Sequence, residues 1–157
     1  MYERVYGNEY KPGMDIKDIA KIVRKRIKEA YPGFKFSVKI QRYSGGQSMR
    51  ANLVEAPADF QFYVENPQYC GGYQPNRYNE IYERPAVQSD EFNDMMANVK
   101  AMMQSFNYDG SDAMIDYFDV NFYAFEGVDY GSPADKQMDA QEKAVIESVV
   151  AKEMEAA

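Results

Sequence analysis

From Asp15 to Tyr31 the apolar residues Ile16, Ile19, Ala20, Val23, Ile27 and Ala30 return every third or fourth position. That spacing gathers them along one side of an α-helix. Asp15 is placed to cap the first turn, Asp18 adds negative charge there, and Pro32-Gly33 stops the helix. The period then drops to two. Phe34, Phe36, Val38 and Ile40 alternate with Lys35, Ser37, Lys39 and Gln41; Met49, Ala51 and Leu53 alternate with Ser48, Arg50 and Asn52. Two half-buried strands, 34–43 and 48–55, joined through Ser44-Gly45-Gly46, predict a hairpin. A phosphate-binding loop would need a helix directly after the glycines, and the alternation continues instead.

Further along, ADFQFYVE (58–65) reads as a third strand with Phe60, Phe62 and Val64 inward. Residues 89–106 repeat the helical period through Phe92, Met95, Met96, Val99, Met102, Met103 and Phe106, with Ser89 as cap. A methionine stripe of this kind serves as adaptable core filler or as a partner groove. Residues 117–126 alternate again; either face fits the core side, and the one with Phe118, Val120, Phe122 and Ala124 is chosen because it leaves the charged Asp119 outside. Ser132-Pro133 opens a last helix over 132–155, striped by Val145, Ile146, Val149 and Val150. Residues 1–13 have no period and read as an arm. The fold class predicted is α+β in two layers: an antiparallel sheet, two amphipathic helices packed on one of its faces, and a C-terminal helix. That last helix suits packing on the domain or contact in a homodimer. A chain of 157 residues fits a single domain.

Charge sharpens this picture. Residues 1–50 carry twelve Lys/Arg against five Asp/Glu, a balance of +7; residues 51–157 carry six against twenty, a balance of −14. Lys17, Lys21, Arg24 and Lys28, with Lys25 beside them, form a basic ridge on the polar side of the first helix. Lys35, Lys39 and Arg50 point away from the apolar side of the hairpin. Either folding interleaves the two halves and neutralises them, or two surfaces of opposite sign result.

Histidine is absent, which removes histidine-based triads and histidine metal sites. A single cysteine, Cys70, forms no internal disulfide and no cysteine-rich zinc site; with no base beside it, it reads as an inert thiol. No apolar run is long enough to cross a bilayer, and the first residues carry no signal-peptide pattern, so the expectation is a reducing cytoplasm in a bacterial cell. Asp109, Asp112 and Asp116, with Tyr108, are the only carboxylate cluster to consider for metal or acid–base chemistry. Their spacing does not match a calcium loop, and acids with glycine are ordinary in a turn. No catalytic residue, metal or cofactor is expected. The stretch 57–88 is rich in tyrosine; Tyr69, Tyr73, Tyr78 and Tyr82 either order a long loop by packing on one another or present a binding surface.

Three blocks carry a family resemblance: Tyr31-Pro32-Gly33-Phe34-Lys35-Phe36-Ser37-Val38, then Tyr43-Ser44-Gly45-Gly46-Gln47-Ser48, then Phe106-Asn107-Tyr108-Asp109-Gly110 with Met114 and Asp116. Over 15–56 and 89–124 the chain resembles the large polyvalent protein-associated domain 29 family, with 57–88 and the acidic last helix as additions. The resemblance implies a setting in phages and conjugative elements, whose long fusion proteins are thought to act against host defences; it implies no catalytic residues. The expected function is therefore a non-enzymatic accessory protein that inhibits a host defence system, of anti-CRISPR or anti-restriction type. It would bind a host protein or nuclease complex through Tyr69, Tyr73, Tyr78, Tyr82, Asp109, Asp112 and Asp116. The alternative is a single-stranded nucleic-acid-binding module using Lys35, Lys39, Arg50, Tyr117 and Tyr123.

Overall fold

The computed structural model describes residues 3–115 and 117–156. The arm contributes a short strand, β1 (Val5–Tyr6). Helix α1 (Ile16–Ala30) begins where the Asp15 carboxylate accepts the Lys17 amide at 2.9 Å, and Gly33, at φ +88°, makes the exit turn. Strands β2 (Lys35–Tyr43) and β3 (Gly46–Glu55) pair antiparallel, with Tyr43 opposite Gly46. The turn between them is therefore Ser44-Gly45, and Gly45 takes the positive φ of +89° that it requires.

Strand β4 (Tyr63–Glu65), a 3₁₀ turn at Ile81–Glu83 and strand β5 (Ala86–Gln88) follow. Helix α2 (Asp90–Gln104) is capped by the Ser89 hydroxyl, which accepts the Phe92 amide. Strand β6 (Tyr108–Asp109) pairs with β1, and a 3₁₀ turn (Ala113–Ile115) leads toward β7 (Tyr123–Val128) and helix α3 (Pro133–Ala156).

The central sheet has the order β2-β3-β7. Its apolar side packs against α1 and α2: Ile19, Ala20, Val23, Val38, Met49, Ala51, Val99, Met103 and Phe122 share one core. A second core at the end of β3 joins Leu53, Phe60, Phe62, Phe92, Met95 and Ala134. There Phe34, Phe60, Phe62 and Phe92 stack edge to face in a chain, with centroids 4.9, 4.9 and 5.1 Å apart. Each fully buried side chain of this size stabilises by about 1.5–3 kcal/mol relative to exposure.

Three expectations need correction. The third strand of the sheet is β7, not 58–65. Phe60 and Phe62 are buried, but the segment around them is held by side chains of α3, so only Tyr63–Glu65 is strand, and it pairs with β5 in a separate ribbon. The sheet is also mixed rather than antiparallel, because β7 runs parallel to β3. Parallel neighbours need a crossover, and α2 lies within the long connection from β3 to β7. Finally, the strand over 117–126 starts only at Tyr123. Asn107 diverts the preceding chain by accepting the amides of Asn121 and Phe122, so Phe118 is 61% exposed instead of in the core.

Helix α3 packs on the domain. Gln137 and Gln141, one turn apart, bind the backbone at Pro57, Phe60 and Phe62, while Lys152 pairs with Glu65 and Tyr69 donates to Glu153. Val145, Ile146, Val149 and Val150 are half-buried along it.

Candidate nucleic-acid interface

The side of the sheet opposite the helices is built by strand register. Three rows cross it: Gln41–Ser48–Tyr123, Lys39–Arg50–Phe125 and Ser37–Asn52–Gly127. No carboxylate lies in these rows. Lys39 and Arg50 stand directly opposite each other, a like-charge pair that opposes folding. Neither has an ion-pair partner among the described residues. Arg50 instead places its guanidinium over the Phe125 ring, 4.7 Å from the centroid, and Phe125 remains 42% exposed. Lys35 continues the cationic side at the end of β2 and faces Glu55.

Of the residues expected here, Lys35, Lys39, Arg50 and Tyr123 come together on this face. Tyr117 does not; it lies in a loop closed by reciprocal backbone bonds between Asp112 and Tyr117. Phe125 belongs to the face on the same alternation that places Tyr123, and its stack under Arg50 makes it the principal aromatic. Only the β3–β7 register reveals that pairing.

The tyrosine-rich stretch is ordered by asparagine rather than by ring stacking. Asn66 donates to the carbonyls of Ile81 and Arg84, and Asn79 bonds Gln74 and Arg77. The aromatic pairs among tyrosines lie elsewhere, where Tyr6, Tyr10 and Tyr108 pack together and Arg4 sits over Tyr108. Tyr78 and Tyr82 point outward, and Tyr69 and Tyr73 are half-buried. Burial and a hydrogen bond to Glu153 push the Tyr69 hydroxyl up to about 12. Cys70 is exposed, its thiol directed at the Tyr82 carbonyl.

Asp109 and Asp112 serve their own turn, accepting the amides of Ser111 and Met114. Asp116 lies outside the described residues. Among those described, no group of three or more acidic or cysteine side chains is placed to hold a metal ion, and no helix is long and apolar enough to cross a membrane.

The two charged halves stay largely separate. Of the ion pairs among the described residues, only Arg4–Asp119 joins one half to the other; the remaining pairs form within a half. The basic side of α1 and β2 is therefore not cancelled by direct pairing with the acidic portion.

No curated protein and no solved structure matches the chain. The model of the family described as "Large polyvalent protein associated domain 29" matches residues 14–96. The matched span runs from the residue before the α1 cap through the hairpin and the tyrosine-rich stretch into α2, more than half of the chain. The chain belongs to the large polyvalent protein associated domain 29 family.

Proposed function

We propose that this protein is a non-enzymatic binding module that takes single-stranded nucleic acid on the outer face of its central sheet. The Lys39–Arg50–Phe125 row carries this reading. An uncompensated pair of cations beside an accessible ring offers phosphate neutralisation and base stacking within one side-chain row. Tyr123 gives a second ring on the neighbouring row, and Ser37, Gln41, Ser48 and Asn52 give neutral hydrogen-bonding groups between them. An acidic molecule can still bind a polyanion locally, because screening confines each surface field to about 8 Å at physiological salt.

Titration of labelled oligo(dT) and oligo(U) at several salt concentrations tests the reading. Contacts from Lys35, Lys39 and Arg50 give a slope of log K against log salt of about −2. Phe125→Ala and Arg50→Ala each weaken binding by about tenfold, as loss of one stacked base does. Affinity unchanged in both variants would remove the sheet face from consideration.

A second reading, inhibition of a phage-restricting host nuclease through protein contact, rests on other surfaces. Tyr78 and Tyr82 face outward, and Asp139, Glu147 and Glu155 of α3 are exposed without ion pairs among the described residues. Carboxylates arranged on a surface can occupy a cationic nucleic-acid channel. Co-purification with CRISPR or restriction effectors and restored phage plating support it; absence of both counts against it.

A further inference from the structure

Strand β2 lies at one edge of the central sheet. Among the described residues β2 pairs only with β3, so one side of its backbone has no neighbouring strand there. The register identifies which groups face outward. Ser37, Lys39, Gln41 and Tyr43 lie opposite Asn52, Arg50, Ser48 and Gly46, and the two-residue turn makes Tyr43–Gly46 a hydrogen-bonded pair. The alternating residues Phe36, Val38 and Ile40 therefore turn their amides and carbonyls to the edge. Arg24 of α1 confirms the direction by donating to the Val38 carbonyl at 2.7 Å. That carbonyl keeps a second lone pair, and the amides of Phe36, Val38 and Ile40 have no strand beside them.

A cleft of about 280 Å³ runs along this edge, between α1 and β2. Ile27, Phe34, Phe36 and Val38 make its apolar floor, and Arg24, Lys28 and Lys35 make its rim. None of the three cations has a carboxylate partner among the described residues. We propose that this edge and cleft receive an extended acidic peptide segment of a partner protein, which adds to the sheet as a fourth strand beside β2.

Each element of the site selects that occupant. Unpaired backbone donors and acceptors in alternation match another peptide backbone, and carbonyls facing outward repel phosphate. An apolar floor suits every second side chain of the added strand. The cationic rim suits carboxylates on that segment and opposes a second copy of β2, whose Lys35 and Lys39 would repeat the same sign. A segment that alternates valine or isoleucine with glutamate or aspartate satisfies all three.

The test uses the whole chain and a capped octapeptide of alternating glutamate and valine, with the lysine–valine counterpart as control. Binding is read by fluorescence anisotropy and by hydrogen exchange of backbone amides. The expected result is saturable binding of the acidic peptide, slowed exchange at Phe36, Val38 and Ile40, and at least tenfold weaker binding of the lysine peptide. Lys28→Glu, on the exposed side of α1, weakens the acidic peptide by at least fivefold while circular dichroism stays unchanged. Arg24→Glu weakens it further, and Arg50→Ala, on the sheet face, leaves it unaltered. The proposal is overturned if exchange at the three amides is unaffected, if the lysine peptide binds equally, or if Lys28→Glu has no effect. Protection of the same amides by oligo(dT) in place of the peptide would also overturn it, by making the cleft part of a nucleic-acid surface.

Discussion

Single side chains decide several features that hydropathy does not signal. Asn107 is 5% exposed. Its side-chain oxygen accepts the amides of Tyr108, Asn121 and Phe122, and its nitrogen donates to the Phe122 carbonyl at 2.8 Å. One polar residue thus joins the end of α2 to the entry of β7. Asn107→Ala leaves the buried Phe122 amide and carbonyl without their side-chain partner, each costing about 1–3 kcal/mol. We expect a loss of about 2–4 kcal/mol in urea unfolding with the helical content of the native state retained. A loss under 1 kcal/mol would mean that water or neighbouring carbonyls take over. Gly7 is a second such position: a Cβ there would come within 2.3 Å of the Gln104 carbonyl oxygen, so the arm can lie against the end of α2 only with glycine. Phe125 and Arg50 belong with these. Their residue types were readable as aromatic and basic, but their stacking depends on a register between strands more than seventy positions apart.

At the scale of elements, periodicity located α1, α2, α3 and the hairpin to within a few residues, because an apolar stripe must face a core whatever surrounds it. It failed at 58–65 and 117–122. Both segments have alternating apolar residues, yet neither joins the central sheet: the backbone around Phe60 and Phe62 is tied to side-chain amides of α3, and the chain before β7 is tied by backbone bonds to 108–112 together with the Asn107 side chain. Helix α3 shows the dependence most clearly. Its apolar stripe is narrow, and its attachment runs through Gln141, which accepts the Phe62 amide at 2.7 Å and donates to the Phe60 carbonyl at 2.7 Å. Replacing Gln137 and Gln141 together with alanine should detach the first turns of α3. Hydrogen exchange at the Phe62 amide and along α3 should rise by an order of magnitude or more, while α1, β2 and β3 keep their protection. Uniform acceleration across the chain would show that α3 is integral to global stability.

For the molecule as a whole, the absence of histidine and the placement of ionisable groups shape the response to pH. Asp15 is held below its ordinary 3.8 by the Lys17 amide and by Arg42, and Glu9 below its ordinary 4.5 by Arg26. A carboxylate with a depressed value stabilises the fold above its unfolded value and loses that contribution as pH falls through the folded one. Tyr63 and Tyr69 are pushed up to about 12, first by burial and then by hydrogen bonds to Glu142 and Glu153. A tyrosine with a raised value favours the neutral form in the fold. Its contribution is complete below pH 10 and declines as pH rises toward 12. The urea midpoint should therefore be flat from about pH 5 to about pH 9, fall below about pH 4, and fall again above pH 10. Near-ultraviolet titration should show two late-ionising tyrosines, one of which is lost in Tyr69→Phe while that of Tyr63 remains. A midpoint that changes steeply near pH 6.5 would contradict this assignment.

By itself the sequence determined the class of elements, the side that α1, α2 and the two hairpin strands present to the core, the outward direction of Lys35, Lys39 and Arg50, and the family. These follow from local periods of 3.6 and 2 and from short motifs, which need no knowledge of distant residues. The tertiary structure decided which strand completes the sheet, its parallel direction, the Lys39–Arg50–Phe125 row, the unpaired edge of β2 and the docking of α3. Each of those depends on chain segments far apart in sequence meeting at a particular register. Register is set by the sum of core packing and polar satisfaction across the whole fold, not by the pattern within any one stretch.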